Sequence, residues 1–473
     1  MKVLPEENSQ DLREFLECIG QEEIFRFWED LNFDERRLFS NQLRSIDWKE
    51  TQKALDDIFS SREVCKEAAC PTDTFSSEDN EKKAKEYRQL GEELLSQGKV
   101  AALTVAGGQG TRLGHPGPKG TFPCGPVTQK TLFAQYAESL RYFSKKFSVT
   151  PLWFVMTSSS NHQETVNYFR NVEFFDLPPE GVKIFSQGDM PVFDKNGKIL
   201  LESKYSIATS PNGHGGAFQA LRRSESIKLM EENGVDFISY FQVDNPMVYC
   251  LDPLFIGLHA SKKSDMSSKA VVKIDPEEKV GLFVKKQNSI QVIEYSDAPQ
   301  EILQSIDDSG QPLFNLGNIA IHMINLGFIE KLTKESTNGY NQLPYHPAHK
   351  KVPFLDKSGQ IQMPDKPNAI KAEMFVFDSL SAAQNGQIQV IKREEQFAPI
   401  KNAEGEDSIE TSKKLMLERS KNWLNSAGIK CDGKIEISPL FAPTQEYFIE
   451  ECRKKTPYIF SKKHNGVELI PQA

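Results

Sequence analysis

The chain has 473 residues, 38% hydrophobic and 26% charged, and its 57 Lys and Arg against 66 Asp and Glu leave a formal net charge of −9. This is the composition of a globular protein with room for about three domains, and its overall negative field excludes a general affinity for nucleic acid or anionic membranes. A polyanionic ligand would have to be held by cations gathered locally.

Residues Met1 to Asp11 carry one lysine followed by acids where a signal peptide would have an apolar segment, and no 18-residue apolar run follows, so a cytoplasmic protein is expected. The seven cysteines, Cys18, Cys65, Cys70, Cys124, Cys250, Cys431 and Cys452, are scattered without CxxC pairing, which points to a reducing compartment and away from structural zinc. Leu12, Phe15, Leu16, Ile19, Ile24 and Phe27 recur at helical spacing and predict a helical N-terminal lobe. The polar stretch Pro71 to Lys83 reads as a linker, followed by a helix near Lys85 to Gln97.

From Val100 the pattern becomes short apolar strands alternating with amphipathic helices, the mark of an α/β sheet. Val100 to Val105 predicts a strand, Leu132, Phe133, Tyr136, Leu140 and Phe143 one face of a helix, and Leu152 to Met156 a second strand. Asn161 and Glu164 predict a capping box, and Val182 to Phe185 another strand. A helix is expected over Ala217 to Glu232 and a strand over Asp236 to Val243. Lys269 to Ile274 and Val280 to Tyr295 read as a hairpin excursion of a mixed sheet, with a turn at Asp307 to Gln311. After the acidic stretch Ala403 to Ser412, a helix at Ser412 to Asn425 and short β segments near Ile435 and Tyr458 form a small C-terminal lobe. The expected division is residues 1–98, 99–390 and 391–473.

The segment Gly107 to Gly120 carries six glycines, at 107, 108, 110, 114, 117 and 120, with Arg112 and Lys119 among them. Such a backbone can approach a ligand closely and turn amides toward phosphate oxygens. It is neither a Walker A loop nor GxGxxG, since Gly108, Gly110 and Gly114 are spaced GxGxxxG. A solvated surface loop is the bland alternative, but the position between a strand and a helix is where open α/β sheets bind ligands.

Gly107-Gly-Gln-Gly-Thr-Arg-Leu-Gly with Pro118-Lys-Gly120 resembles the signature of the UTP-dependent sugar-1-phosphate uridylyltransferases, and most of all the eukaryotic-type UDP-N-acetylhexosamine pyrophosphorylases. The resemblance continues through Pro211 to Gly216, Val243 to Pro246, Val292 to Tyr295, Phe314 to Ile319, Glu373 to Asp378 and Pro399 to Asn402. It implies a Rossmann-like nucleotide-diphospho-sugar transferase fold of GT-A type. Its mixed α/β sheet would carry a helical N-terminal lobe and a small β-containing C-terminal lobe. Gly107, Gly108, Arg112 and Lys119 then inherit uridine and phosphate binding. Gln187 and Gly213 match positions that contact uracil, and Asp244 the aspartate that supports Mg²⁺, which Mn²⁺ can replace. Gly281, Glu294, Asn318, Phe375 and Phe377 match the sugar and N-acetyl pocket, and Lys371 and Lys401 match lysines that reach phosphates. His214 departs from the asparagine more common at that place in the acetamido-sugar enzymes.

Taken singly, these residues have plainer readings. Asp244 could be a turn residue at a strand end, Lys371 and Lys401 solvated lysines, Glu294 a solvent-facing strand residue, and Phe375 and Phe377 core residues on one strand face. His214 could simply cap the following helix. The activity implied is formation of UDP-N-acetylglucosamine and pyrophosphate from UTP and N-acetylglucosamine 1-phosphate, with Arg112, Lys119 and Lys401 supplying charge. A UDP-glucose or broad-specificity UDP-sugar pyrophosphorylase, and a silent UDP-sugar-binding protein, are the alternatives. The expected partners are UTP and an N-acetylhexosamine 1-phosphate, in a monomer or homodimer without nucleic acid or membrane.

Overall fold

The computed structural model describes residues 9–60, 68–275, 278–286, 289–295, 297–306, 310, 312–334, 343–454 and 458–472. The turn expected at Asp307 to Gln311 lies, apart from Gly310, outside them. The chain forms two compact units: Met1–Arg62, Gln187–Gln219 and Thr333–Val376 make the first, and Glu63–Ser186, Ala220–Leu332 and Phe377–Ala473 the second. Among the described residues no helix is long and apolar enough to cross a membrane.

The first unit combines the helices Ser9–Cys18, Phe33–Ser45 and Trp48–Phe59 with short antiparallel strands from its later segments. Asn32 and Asp47 cap the second and third helices by accepting hydrogen bonds from Glu35 and Glu50 amides. Buried Gln21 ties the helices to the Gln187–Gln219 segment, donating to the Gly197 carbonyl at 2.9 Å and accepting from the Ile199 amide at 2.9 Å. The strand Tyr345–Lys350 pairs antiparallel with Ala369–Met374, which pairs in turn with Phe193–Asp194.

The second unit is built on a ten-stranded mixed sheet. Its elements in chain order are β1 (Thr74–Phe75), α1 (Glu81–Ser96), β2 (Val100–Val105), α2 (Leu132–Phe147), β3 (Trp153–Thr157), α3 (His162–Asn171), β4 (Val182–Ser186), β5 (Phe237–Gln242) and α4 (Pro253–Ser261). There follow β6 (Met266–Val272), the hairpin β7 (Leu282–Lys286) and β8 (Ser289–Ile293), β9 (Leu316–Asn325) and β10 (Ile388–Val390). The strand order is β1-β10-β6-β9-β5-β2-β3-β4, with β7 joined to β9 and β8 to β7. Antiparallel pairing is confined to β9 and the hairpin, so β2, β3, β5 and β6 all end at the same edge. The strands β2, up to its last residue Val105, and β3 are buried, as parallel strands covered on both faces must be. On α2, Phe133, Tyr136, Leu140 and Phe143 are all buried, as their spacing requires. Helices α1 and α4 meet backbone to backbone: a Cβ at Gly91 would lie 1.8 Å from the Pro253 carbonyl oxygen, and one at Gly257 1.7 Å from that of Tyr87.

The C-terminal part consists of α5 (Ile409–Ser426), β11 (Ile435–Ile437), α6 (Gln445–Arg453), β12 (Tyr458–Lys463) and β13 (Gly466–Pro471), with the strands ordered β11-β13-β12.

Four local expectations are revised. Lys269 to Ile274, expected as one arm of a hairpin with Val280 to Tyr295, falls largely in β6, which pairs with β9 and β10, and the hairpin β7–β8 forms within the second arm alone. Thr74–Phe75, expected within a linker, pairs with β10 as the edge strand β1. The continuous helix expected over Ala217 to Glu232 is two, Ala217–Arg223 and Ser226–Glu232, separated at Glu225 by a φ of +58°. The strand expected to carry Phe375 and Phe377 on one face ends at Met374 and continues as the 3₁₀ turn Val376–Ala382, so these two rings share no strand face.

Candidate active site

The glycine-rich loop leaves β2 at the sheet edge and is anchored on its carbonyls. Asn161 Nδ2 donates to the carbonyls of Ala106 at 3.0 Å and Gly108 at 3.2 Å, and Ser158 Oγ to that of Gly107 at 2.7 Å. Two cross-loop bonds fold the segment on itself, Gly110 N–H to Gly117 O at 2.8 Å and Lys119 N–H to Gly108 O at 3.0 Å. Among the described residues the amides of Gly107, Gly108 and Gln109 have no acceptor, which leaves a run of donors suited to phosphate oxygens. Arg112 is exposed and forms no ion pair among the described residues.

At the end of the neighbouring strand β5 stands Asp244. Val243 N–H still bonds Val105 O at 3.0 Å, so Asp244 begins its turn beside the start of the glycine loop. Lys119 Nζ lies 3.6 Å from Asp244 Oδ2, each side chain 15% exposed. The Ile400 amide donates to the Asp244 carbonyl at 2.8 Å, which brings Lys401 alongside, and Lys401 Nζ bonds Asp407 Oδ2 at 2.9 Å. Burial works against the Lys401 charge, but the carboxylates of Asp244 and Asp407 outweigh it and raise its pKa, so it is a full cation at neutral pH.

No group of three or more His, Cys, Asp or Glu side chains forms a metal cage among the described residues. A single carboxylate such as Asp244, completed by phosphate oxygens and water, is nevertheless the kind of donor set Mg²⁺ accepts.

Farther along the same unit, β7, β8 and β9 gather Gly281, Glu294 and Asn318. The Asn318 amide donates to Gly281 O at 2.8 Å, and a Cβ at Gly281 would lie 3.7 Å from a Glu294 carboxylate oxygen. Asn318 Oδ1 accepts from the Ala320 amide at 3.0 Å, leaving Nδ2 as a donor, and Ala320 holds a φ of +55°. Phe377 is buried at 3% exposure.

Gln187, Gly213, His214, Lys371 and Phe375 belong to the first unit. Gly213, at φ +84°, packs so closely on the end of the Ala369–Met374 strand that a Cβ would meet Met374 O at 2.4 Å. Asn212 N–H donates to Gly188 O at 3.0 Å and Met374 N–H to Asn212 O at 2.9 Å, so Gln187, Gly213 and Phe375 are held near one another. His214 Nδ1 accepts from the Val376 amide at 3.2 Å, and its ring stacks on Phe375 at 5.3 Å. Burial, with the charge of His346 added, lowers the His214 pKa to about 4. His214 is therefore a neutral imidazole with Nε2 as its N–H. Lys371 lies on the same strand, opposite Ala348.

Sequence reasoning misses the anchors. Asn161 does not cap α3 with its side chain; it holds the glycine loop instead. Tyr136 of α2, expected in the core, is buried there, but its hydroxyl also faces the carbonyls of Val243 at 2.9 Å and Asn245 at 3.1 Å, on either side of Asp244. Asn245 donates to Gln396 O at 2.6 Å and accepts from the Ala398 amide at 3.1 Å, fixing the segment that leads to Lys401. Its place inside Val243-Asp-Asn-Pro246 is the available clue. Cys124 is buried, and burial followed by the charge of Glu436 pushes its thiol pKa far up, which removes it as a nucleophile.

A mixed α/β sheet with a free-amide loop and a lysine–aspartate–lysine cluster at the carboxyl ends of its parallel strands defines a nucleotide-binding α/β protein built for phosphate chemistry. The sequence profile of the UTP–glucose-1-phosphate uridylyltransferase family matches residues 41–463, and the chain belongs to that family. It is 34% identical over 445 residues to the human UDP-N-acetylhexosamine pyrophosphorylase-like protein 1, covering 89% of this chain and 87% of the relative. To the UDP-N-acetylglucosamine pyrophosphorylase of Saccharomyces cerevisiae it is 33% identical over 447 residues, covering 90% and 93%. Its structure is similar to that of the uridine diphosphate N-acetylglucosamine pyrophosphorylase from Trypanosoma brucei in complex with inhibitor, with a TM-score of 0.81, 26% identity and coverage of 96% and 98%.

Proposed function

We propose that this chain is a uridylyltransferase that forms UDP-N-acetylglucosamine and pyrophosphate from UTP and N-acetylglucosamine 1-phosphate in the cytoplasm. The observation that carries the reading is the convergence of Lys119, Asp244 and Lys401 beside the free amides of Gly107 and Gly108. In the reaction a phosphate oxygen of the sugar phosphate attacks the α-phosphorus of UTP. The new P–O bond forms as the bond to the oxygen bridging to the β-phosphorus breaks, and pyrophosphate leaves with that electron pair. The attacking group is already an anion, so alignment and charge neutralisation are what the protein contributes.

Lys119 and Arg112 are assigned to the departing pyrophosphate and Lys401 to the sugar phosphate. Lys371 is assigned a further phosphate contact, and Gln187 and Gly213 the uracil. Gly281, Glu294, Asn318, Phe375 and Phe377 are assigned to the acetamido sugar, with His214 beside it as a neutral hydrogen-bond donor. Mg²⁺ held by Asp244, or Mn²⁺ in its place, would supply positive charge to the phosphates.

The test is pyrophosphate release from UTP with N-acetylglucosamine 1-phosphate, N-acetylgalactosamine 1-phosphate and glucose 1-phosphate, with Mg²⁺ and with EDTA. Turnover greatest with an acetamido sugar and abolished by EDTA is expected. Release with none of the three would refute the reading, and a preference for glucose 1-phosphate would refute the sugar assignment.

A further inference from the structure

We infer that Glu436, on the C-terminal sheet, is a positioning residue for the UTP-binding loop; this rests on the uridylyltransferase reading above. Glu436 is 3% exposed, and four donors converge on its carboxylate. Oε2 accepts from the amides of Val127 at 2.8 Å and Thr128 at 2.9 Å, and Oε1 from Thr128 Oγ1 at 2.8 Å and Gln135 Nε2 at 3.0 Å. A Cβ at Gly125 would lie 2.9 Å from Oε1, so the carboxylate fills the concave side of the turn from Gly125 to Lys130. Glu468 stands opposite Glu436 in the β11–β13 register and is paired with Lys130 of that turn and with Lys463, the latter at 3.2 Å. Two acids on one row of a small sheet therefore grip one turn.

That turn is the exit of the glycine-rich loop. Pro126 follows Lys119 by seven positions in the chain, and Leu132 N–H bonds Phe122 O at 3.2 Å, closing the path onto the first turn of α2. Gly120 lies directly against α2, where a Cβ would meet the Phe133 ring at 2.1 Å. Three residues near the start of α2 thus carry three tethers. Phe133 bears on the loop beside Lys119, Gln135 is held by Glu436, and Tyr136 faces the carbonyls flanking Asp244. Fixing the N-terminal turn of α2 fixes both partners of the Lys119–Asp244 pair. A buried carboxylate with charge-assisted bonds to four neutral donors is strong and directional enough for that task. A role confined to stability would leave substrate affinities of the folded enzyme unchanged.

The 473-residue chain and its Glu436→Gln variant are to be compared below the melting transition of both. The readouts are KM for UTP, KM for the sugar 1-phosphate, and UTP binding by calorimetry. The substitution keeps the shape of the side chain but loses the charge and turns an N–H₂ toward donors, so KM and Kd for UTP should rise about tenfold while KM for the sugar phosphate stays within about twofold. Equal KM values in the two proteins, or equal rises for both substrates, would overturn the inference. If Glu436→Gln does not fold, Thr128→Val removes the hydroxyl that donates to Glu436 and accepts from the Lys130 amide at 3.1 Å, and should raise the UTP Kd about threefold; an unchanged Kd would overturn it as well. A wild-type protein that neither binds UTP nor releases pyrophosphate would sink the uridylyltransferase reading itself, whereas a normal wild type with normal variants would sink only the positioning role.

Discussion

Replacing Lys119 by alanine tests the core of the proposed site. Its ammonium lies 3.6 Å from Asp244 Oδ2 with both side chains 15% exposed. At an effective dielectric constant of about 20, two unit charges at that distance attract by roughly 4 to 5 kcal/mol before desolvation is subtracted. Desolvation and the partial exposure of the pair cancel most of this, so Lys119→Ala should cost about 1 to 2 kcal/mol in stability. Its effect on rate should be larger. A preorganised cation facing developing pyrophosphate charge is worth about 10² to 10³ in kcat, or about 3 to 4 kcal/mol, by analogy with loss of one oxyanion-hole donor. Steady-state pyrophosphate release and urea denaturation on the same preparations separate the two effects. A folded Lys119→Ala protein turning over within about threefold of wild type would remove Lys119 from the transfer chemistry.

Asn161→Ala removes both side-chain bonds to the Ala106 and Gly108 carbonyls. It should lower stability by about 2 kcal/mol and raise KM for UTP more than KM for the sugar phosphate, by initial-rate kinetics; parallel changes in the two KM values would contradict the anchoring role. His214 has a folded-state pKa of about 4 against an ordinary 6.5, so between these values the unfolded chain takes up a proton that the fold refuses. Stability from this group is complete above about pH 6.5 and is lost as the pH falls toward about 4, by at most about 3 kcal/mol. Urea midpoints measured from about pH 7.5 down to about pH 4.5 should therefore fall less steeply for His214→Asn than for wild type, and equal slopes would exclude a His214 that the fold keeps neutral.

What can be read from the sequence follows from the range of each interaction. The strand Val100–Val105, the helix over Leu132–Phe147 and the glycine loop between them are legible because apolar periodicity and glycine spacing are local properties. Asp244 and Lys401 are legible only through the family resemblance, since one acid at a strand end and one lysine in a loop carry no periodic signal. The anchors Asn161 and Glu436 are not legible at all. Asn161 in an Asn-x-x-Glu context has the same local pattern whether it caps a helix or bonds a loop 53 to 55 residues earlier. Glu436 alternates with two isoleucines in β11, and nothing in that triplet reveals that its partners are Thr128 and Gln135, 308 and 301 residues away. The edge strand Thr74–Phe75 is two residues long in a polar stretch and exists only because Ile388–Gln389 lies beside it.

The charge arrangement gives an independent reason for the proposed metal. In a chain of net charge −9, Asp244 holds Lys119 directly, and its field helps keep Lys401 charged, so the cations are in place before any polyanion arrives. A nucleotide triphosphate entering that cluster brings several negative charges next to the carboxylate that organises it. Lys119, Arg112 and Lys401 together do not offset the carboxylates of Asp244 and Asp407 and the phosphates, and repulsion between Asp244 and the phosphates would weaken binding. A hard divalent cation held by Asp244 would turn that repulsion into attraction, and it would need no further protein ligand. The same balance gives Asp244→Asn a distinct signature. Removing the carboxylate removes the repulsion along with the metal ligand, so nucleotide binding without metal, followed by calorimetry in EDTA, should be retained or strengthened while metal-supported turnover is lost. Weaker metal-free binding in that variant would contradict the charge argument.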